Sequence, residues 1–146
     1  MDGNGRWAKK HFMPRAVGHK RGVEAVRRLV RACEGLGLEC LTLYAFSSEN
    51  WKRPEDEISD LMGLLRHFIK ADLPEFIAND VRLKIIGDYK ALPDDIVAML
   101  EDALEQTAKG RITLAVALNY GSQQEIARAA AAAAEQGAVT AETITA

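Results

Sequence analysis

Three short apolar runs, set among longer segments of helical periodicity, constrain this 146-residue chain more than any other feature. Residues 40–46 (CLTLYAF), 82–86 (RLKII) and 112–118 (ITLAVAL) have the length and the branched, apolar content of strands. Residues 20–34 repeat Val23, Val26, Leu29, Val30 and Cys33 at helical spacing, and Gly35-Leu36-Gly37 closes the run. Helices are also expected over residues 55–79, with Pro74 a candidate interruption, over 93–108, which opens on Pro93, and over the alanine-rich 123–136. Strands alternating with helices predict a single α/β domain over residues 1–146, its parallel β-sheet flanked by helices on both faces. Ligands of such sheets collect at the carboxyl ends of the strands.

That rule directs attention to the polar loops. Residues 47–54 (SSENWKRP) follow the first strand, and residues 119–122 (NYGS) follow the last. A third polar stretch opens the chain: Asp2-Gly3-Asn4-Gly5-Arg6-Trp7, ahead of a short helix over residues 7–11 that stops at Met13-Pro14. Arg15, Gly18 and His19 are expected on the loop that follows. Glycines admit backbone N–H groups close to a ligand, and a helix start favours anions, so the opening stretch suits phosphate. A carboxylate fits beside phosphate when a divalent cation lies between them, which makes Asp2 the candidate metal ligand. The same residues also read as a tight turn with no ligand. In the second loop the serines and Asn50 can hold phosphate oxygens or position a proton, and Arg53 can clamp a phosphate; a solvated loop capping the next helix is the plainer reading.

Composition narrows the field. A formal charge of −2 gives no global attraction to polyanions, so an anion site must be local. Cys33 and Cys40 lack metal-site spacing and are expected to be reduced thiols of a cytosolic protein. No apolar run approaches the length of a membrane span. In the third helix Ile58, Leu61, Met62, Leu64, Leu65, Phe68 and Ile69 form a stripe too broad for one surface seam; it is either deeply buried or lines a cavity.

Taken together, MDGNGRWA, then Arg15 with Gly18-His19, then LYAFSSENWKRP, then LNYGS before a Gln-Glu-Ile helix resemble the cis-prenyltransferases in identity, order and spacing. The likeness is greatest to the undecaprenyl diphosphate synthase (isoprenyl transferase) type and extends over nearly the whole chain. It implies a homodimer and Mg²⁺-dependent addition of isopentenyl diphosphate to an allylic diphosphate such as farnesyl diphosphate, each new double bond being cis. The product would be a long-chain polyprenyl diphosphate serving cell-wall lipid carrier synthesis. The resemblance also implies a cytoplasmic protein, with possible contact at the inner membrane face.

Carried over by position, Asp2 corresponds to the aspartate that binds Mg²⁺. Gly3, Asn4, Gly5 and Arg6 correspond to the loop around the allylic diphosphate, with Arg15 and His19 adding contacts and Trp7 lying beside the substrate. Ser47, Ser48 and Glu49 correspond to the loop near isopentenyl diphosphate, which Trp51 and Arg53 complete. Asn50 corresponds to a residue tied to proton removal; an amide is a poor base, so its role is expected to be positioning. The family's product tunnel gives the broad stripe a purpose, and Val26, Ala45, Leu61, Leu64, Leu65, Ile69 and Ile112 are the expected wall residues.

The chain departs from the family pattern in three places. No strand precedes MDGNGRW, the arginine-rich carboxyl-terminal motifs that grip isopentenyl diphosphate are missing, and Gly121-Ser122-Gln123 stands where Gly-Gly-Arg is usual. The chain therefore reads as incomplete at both ends, its last residues, 143–146, resembling the start of another helix. A non-catalytic or partial substrate-binding fragment, or a partner subunit, is the alternative. A trans-prenyltransferase would need Asp-Asp-x-x-Asp pairs, and the nearest stretch, Asp94-Asp95-Ile96-Val97-Ala98, fails at its last position. A nucleotide-binding domain would need a glycine fingerprint that is missing.

Overall fold

The computed structural model describes residues 3–135, 137, 139–141 and 143. In chain order it contains α1 (Asn4–Lys10), α2 (Arg15–Gly35), β1 (Cys40–Ser47), a 3₁₀ turn (Ser48–Lys52) and α3 (Glu55–Ala78). Then come β2 (Val81–Ile86), a second 3₁₀ turn (Tyr89–Ala91), α4 (Asp94–Gln106), β3 (Ile112–Tyr120) and α5 (Ser122–Glu135). The strands form one parallel sheet in the order β1-β3-β2, with Leu43 and Ile85 both opposite Val116. Asp2, the expected start of a helix at residues 143–146, and Gln136 fall wholly or partly outside the described residues.

The central position of β3 explains its unbroken apolar run: every residue from 113 to 118 is buried. The edge strand β1 alternates instead. Leu41, Leu43 and Ala45 pack on the core, while Cys40, Thr42 and Tyr44 are exposed. Helices α2, α3 and α4 supply the other side of that core, through Val26 and Val30, Met62, Ile69 and Phe76, and Ile96 and Leu100. Full burial of Ile96 or Leu114 stabilises by about 1.5–3 kcal/mol each. Helix α5 leaves the carboxyl end of β3 and is tied back by an ion pair from Arg128 to Asp88 (2.8 Å).

Three sequence expectations are corrected. Arg15, Gly18 and His19 lie on α2, which starts at Arg15 and not near residue 20. Pro14 supplies a ready helix start, and Gly18 and Gly22 are there for contact: a Cβ on Gly18 would stand 2.1 Å from the Asn4 carbonyl oxygen, and one on Gly22 2.6 Å from Asn4 Nδ2. The two glycines, of which only Gly18 was expected on a loop, are thus the seat of α1. Pro74 does not interrupt α3; it sits exposed inside a continuous helix. Finally, β3 runs on through Asn119 and Tyr120, with Asn119 in the left-handed region (φ 48°), so the polar loop there shrinks to Gly121.

Candidate active site

The carboxyl end of β1 is shaped by a bulge. Tyr44 is opposite Ala117 and Phe46 opposite Leu118, so Ala45 is the extra residue. This breaks the alternation and turns both Ala45 and Phe46 toward the space under α2 and α3. That space is a cavity of about 130 Å³. Its mouth carries Asn4, His19, Asn50 and Arg53, and behind them every lining residue is apolar.

Helix α3 supplies one wall with Leu61, Met62, Leu64, Leu65 and Phe68, positions that recur at helical spacing on one side. Val26 on α2 and Ala45 on β1 stand opposite. Of the expected wall residues, Ile69 lies against a separate pocket of about 20 Å³, lined only by apolar residues and with room for about one water. Ile112 is not in either space. It opens β3 at the amino end of the sheet, beside Leu38 and Arg82, whereas the cavity lies at the carboxyl half. Shared wall residues Leu65, Phe68, Val116 and Leu118 separate the two spaces.

The mouth is organised by a residue that sequence reading did not single out. Glu57, in the first turn of α3, accepts a hydrogen bond from Arg53 on Oε1 (2.7 Å) and from Arg15 on Oε2 (2.7 Å). The i,i+4 spacing from Arg53 was the available signal. Within the acidic start Glu55-Asp56-Glu57, however, nothing marked which carboxylate would turn inward. Two guanidinium groups thus share one carboxylate beside the opening. His19 Nε2 is buried there with no hydrogen-bond partner among the described residues. Burial lowers the His19 pKa below its ordinary 6.5; Glu57 and Asp60 work against that shift, and Arg53 and Arg15 add to it. Near neutral pH the ring is therefore uncharged.

Asn50 uses its side-chain oxygen internally, accepting the Ser47 backbone N–H (3.1 Å). Its NH₂ group remains for the cavity, so Asn50 faces a ligand as a donor. Trp51 packs edge-on against Phe46 (5.1 Å) and donates to Asn119 Oδ1 (2.8 Å), whose own NH₂ group donates to the Asp88 carbonyl. These contacts fix the 3₁₀ turn against β3. Ser48 donates to Gln124 at the start of α5 (3.2 Å), and Glu49 is exposed beside Tyr44 and Tyr120 on the other side of β1. Ser48 and Glu49 thus face away from the cavity that Asn50 and Arg53 enter.

At the amino end, Gly3 caps α1 in the left-handed region (φ 82°), Gly5 lies against the Arg15 side chain, and Arg6 is exposed. Trp7 stacks on His11 (4.3 Å) and does not enter the cavity. Asp94 and Asp95 open α4, with Asp95 paired to Arg66, outside the cavity lining. Among the described residues no three His, Cys, Asp or Glu side chains gather as a metal cage. Both Glu57 oxygens are engaged by arginine, so Glu57 is not a free ligand for a divalent cation, and Asp2, the expected metal ligand, lies outside the described residues.

Fold and cavity together define the class: a parallel α/β protein whose sheet edge carries a cationic mouth on an apolar cavity. A family model described as "Putative undecaprenyl diphosphate synthase" matches residues 1–146, and the chain belongs to that family. The chain is 54% identical to an isoprenyl transferase of Agrobacterium fabrum over 149 aligned positions, covering 99% of this chain and 60% of the relative. It is 48% identical to an isoprenyl transferase of Clostridium perfringens, covering 88% of this chain and 51% of that protein. The chain thus spans about half to three-fifths of the curated relatives it matches.

Solved structures agree on the fold. The crystal structure of a "probable undecaprenyl diphosphate synthase" from Campylobacter jejuni superposes with a TM-score of 0.79 at 35% identity, covering 86% of this chain and 62% of that one. Lavandulyl diphosphate synthase from Lavandula x intermedia, in complex with dimethylallyl diphosphate, gives 0.90 at 26% identity, covering 99% and 66%.

Proposed function

We propose that this chain carries the allylic-substrate half of a cis-prenyltransferase. It holds an allylic diphosphate such as farnesyl diphosphate and condenses isopentenyl diphosphate onto it, forming cis double bonds in a long polyprenyl diphosphate of the undecaprenyl kind. One observation carries this reading: a mouth of Asn4, His19, Asn50 and Arg53, with Arg15 tied to Arg53 through Glu57, opens on an otherwise apolar cavity. Such a space suits a molecule with an anionic diphosphate head and a hydrocarbon tail.

In this reaction the allylic C–O bond breaks with its electrons passing to diphosphate. The isopentenyl double bond supplies the pair for the new C–C bond, and the cation so formed loses a proton, which diphosphate can accept. Arg15 and Arg53, held by Glu57, stabilise the charge growing on the leaving group without moving to do so. Asn50 donates from its NH₂ group and orients the isopentenyl unit for proton loss. The cavity keeps water from the cation. Mg²⁺, held by Asp2 and diphosphate oxygens, would neutralise part of the leaving group's charge when bound.

The homodimer, the cytoplasmic location and contact with the inner membrane face belong to the same proposal. The product is a membrane lipid, and among the described residues no helix is long and apolar enough to cross a membrane. A second reading is a protein that binds the allylic substrate without condensing it. A single-turnover assay with farnesyl diphosphate, labelled isopentenyl diphosphate and Mg²⁺ separates the two. Labelled cis product supports condensation. Substrate binding without product, in folded protein, supports the second reading.

A further inference from the structure

Residues 6–21 carry Arg6, Lys9, Lys10, Arg15, Lys20 and Arg21 and no acidic residue, in a chain whose overall charge is negative. Arg15 and Arg21 are paired with Glu57 and Glu24, but among the described residues Lys9 and Lys10, in the last turn of α1, have no carboxylate partner. Directly beyond them stands Phe12, 99% exposed, followed by Met13, 43% exposed. Single exposed apolar residues are ordinary. This one is different because the backbone is fixed to present it.

The chain leaves α1 with Phe12 N–H on the Lys9 carbonyl and Met13 N–H on the Ala8 carbonyl (2.9 Å), a helix-ending turn. Phe12 occupies its left-handed position (φ 56°), where glycine is the usual residue. A bulky side chain in that conformation, pointing wholly into solvent, is an outlier that asks for a use.

We propose that the Phe12-Met13 tip and its flanking Lys9 and Lys10 dock this protein on an anionic lipid surface. The apolar tip enters the headgroup boundary while the ammonium groups meet lipid phosphates. Charge complementarity together with an apolar wedge distinguishes this partner from a soluble polyanion, which would use the lysines and leave Phe12 and Met13 in water. The inference deepens the proposed function by naming the surface at which a lipid product leaves. Asn4, at the other end of α1, lines the cavity mouth, so the tip and the mouth are joined by one short helix of about 10 Å. Binding is measured without turnover, so the two readings fail separately.

The test is sedimentation of the 146-residue chain with vesicles of equal parts phosphatidylglycerol and phosphatidylcholine, against vesicles of phosphatidylcholine alone. Binding is expected to the mixed vesicles only. Phe12→Gly, which suits the turn and keeps the fold, is expected to weaken it about tenfold. Lys9→Glu and Lys10→Glu are each expected to weaken it about fivefold or more. No binding to mixed vesicles overturns the proposal. So does binding that Phe12→Gly leaves unchanged, or heparin binding of equal strength that displaces the vesicles whether or not Phe12 is present.

Discussion

Arg15 on α2 and Arg53 after the first 3₁₀ turn are held by one carboxylate, each 2.7 Å from a different oxygen of Glu57. The arrangement fixes two cations from distant parts of the chain at one opening. Glu57→Gln keeps the side chain's shape and removes the charge that holds them. Turnover is expected to fall about tenfold or more through misplacement of the arginines. Diphosphate affinity should change less, because the site also loses a repelling charge. Kinetics and calorimetry on the same variant check the split. Since Glu57 raises the His19 pKa, the substitution should also move His19 further down, which NMR titration reads.

The pH dependence of stability follows from His19. Its folded pKa lies below 6.5, chiefly through burial, so below 6.5 the unfolded chain takes up a proton more readily than the folded one. The stability linked to this group is therefore complete above pH 6.5 and declines as the pH falls toward the folded value. Thermal melts from pH 8 to pH 5 should show a shallower decline in His19→Gln than in the parent. Equal slopes would contradict the assignment.

The cavity's far end is set by Phe68, which packs edge-on with Phe76 (5.8 Å) where the two apolar spaces meet. Phe68→Ala should join them and lengthen the product, while Leu64→Trp should shorten it. Product chain length after multiple turnovers decides; an unchanged length in both would remove these residues from the tunnel wall.

Close packing of α1 on α2 predicts a contrast between glycines. Gly18→Ala forces a methyl group onto the Asn4 carbonyl and should cost about 1–3 kcal/mol, disturbing the mouth as well. Gly63→Ala, on an exposed part of α3 with nothing near the added methyl, should stabilise by about 0.5–1 kcal/mol. Denaturant melts of the two variants should move in opposite directions.

These contacts also show what could be read from the sequence. The strands were legible because β3 is central and wholly buried, and β1 alternates at an edge. Asn50 and Arg53 were legible as a concentration of donors after a strand. The helical start of α2 was hidden because Pro14 and Gly18 suggest loop until Asn4 is known to lie against Gly18. Glu57 was hidden by its acidic neighbours, since only tertiary structure brings Arg15 to it. Ile112 has the right character and the right strand for the tunnel, but it lies at the wrong end of β3. Ser48 and Glu49 share a motif with Asn50, yet the turn points them to the opposite side.

The most direct measurement of the central claim is calorimetric titration of this chain, in Mg²⁺, with farnesyl diphosphate, inorganic diphosphate and farnesol. If the cationic mouth and the apolar cavity form one site, farnesyl diphosphate binds more tightly than either part, and Arg53→Ala weakens it about tenfold or more. Farnesyl diphosphate binding no better than inorganic diphosphate, or unaffected by Arg53→Ala, would contradict the account.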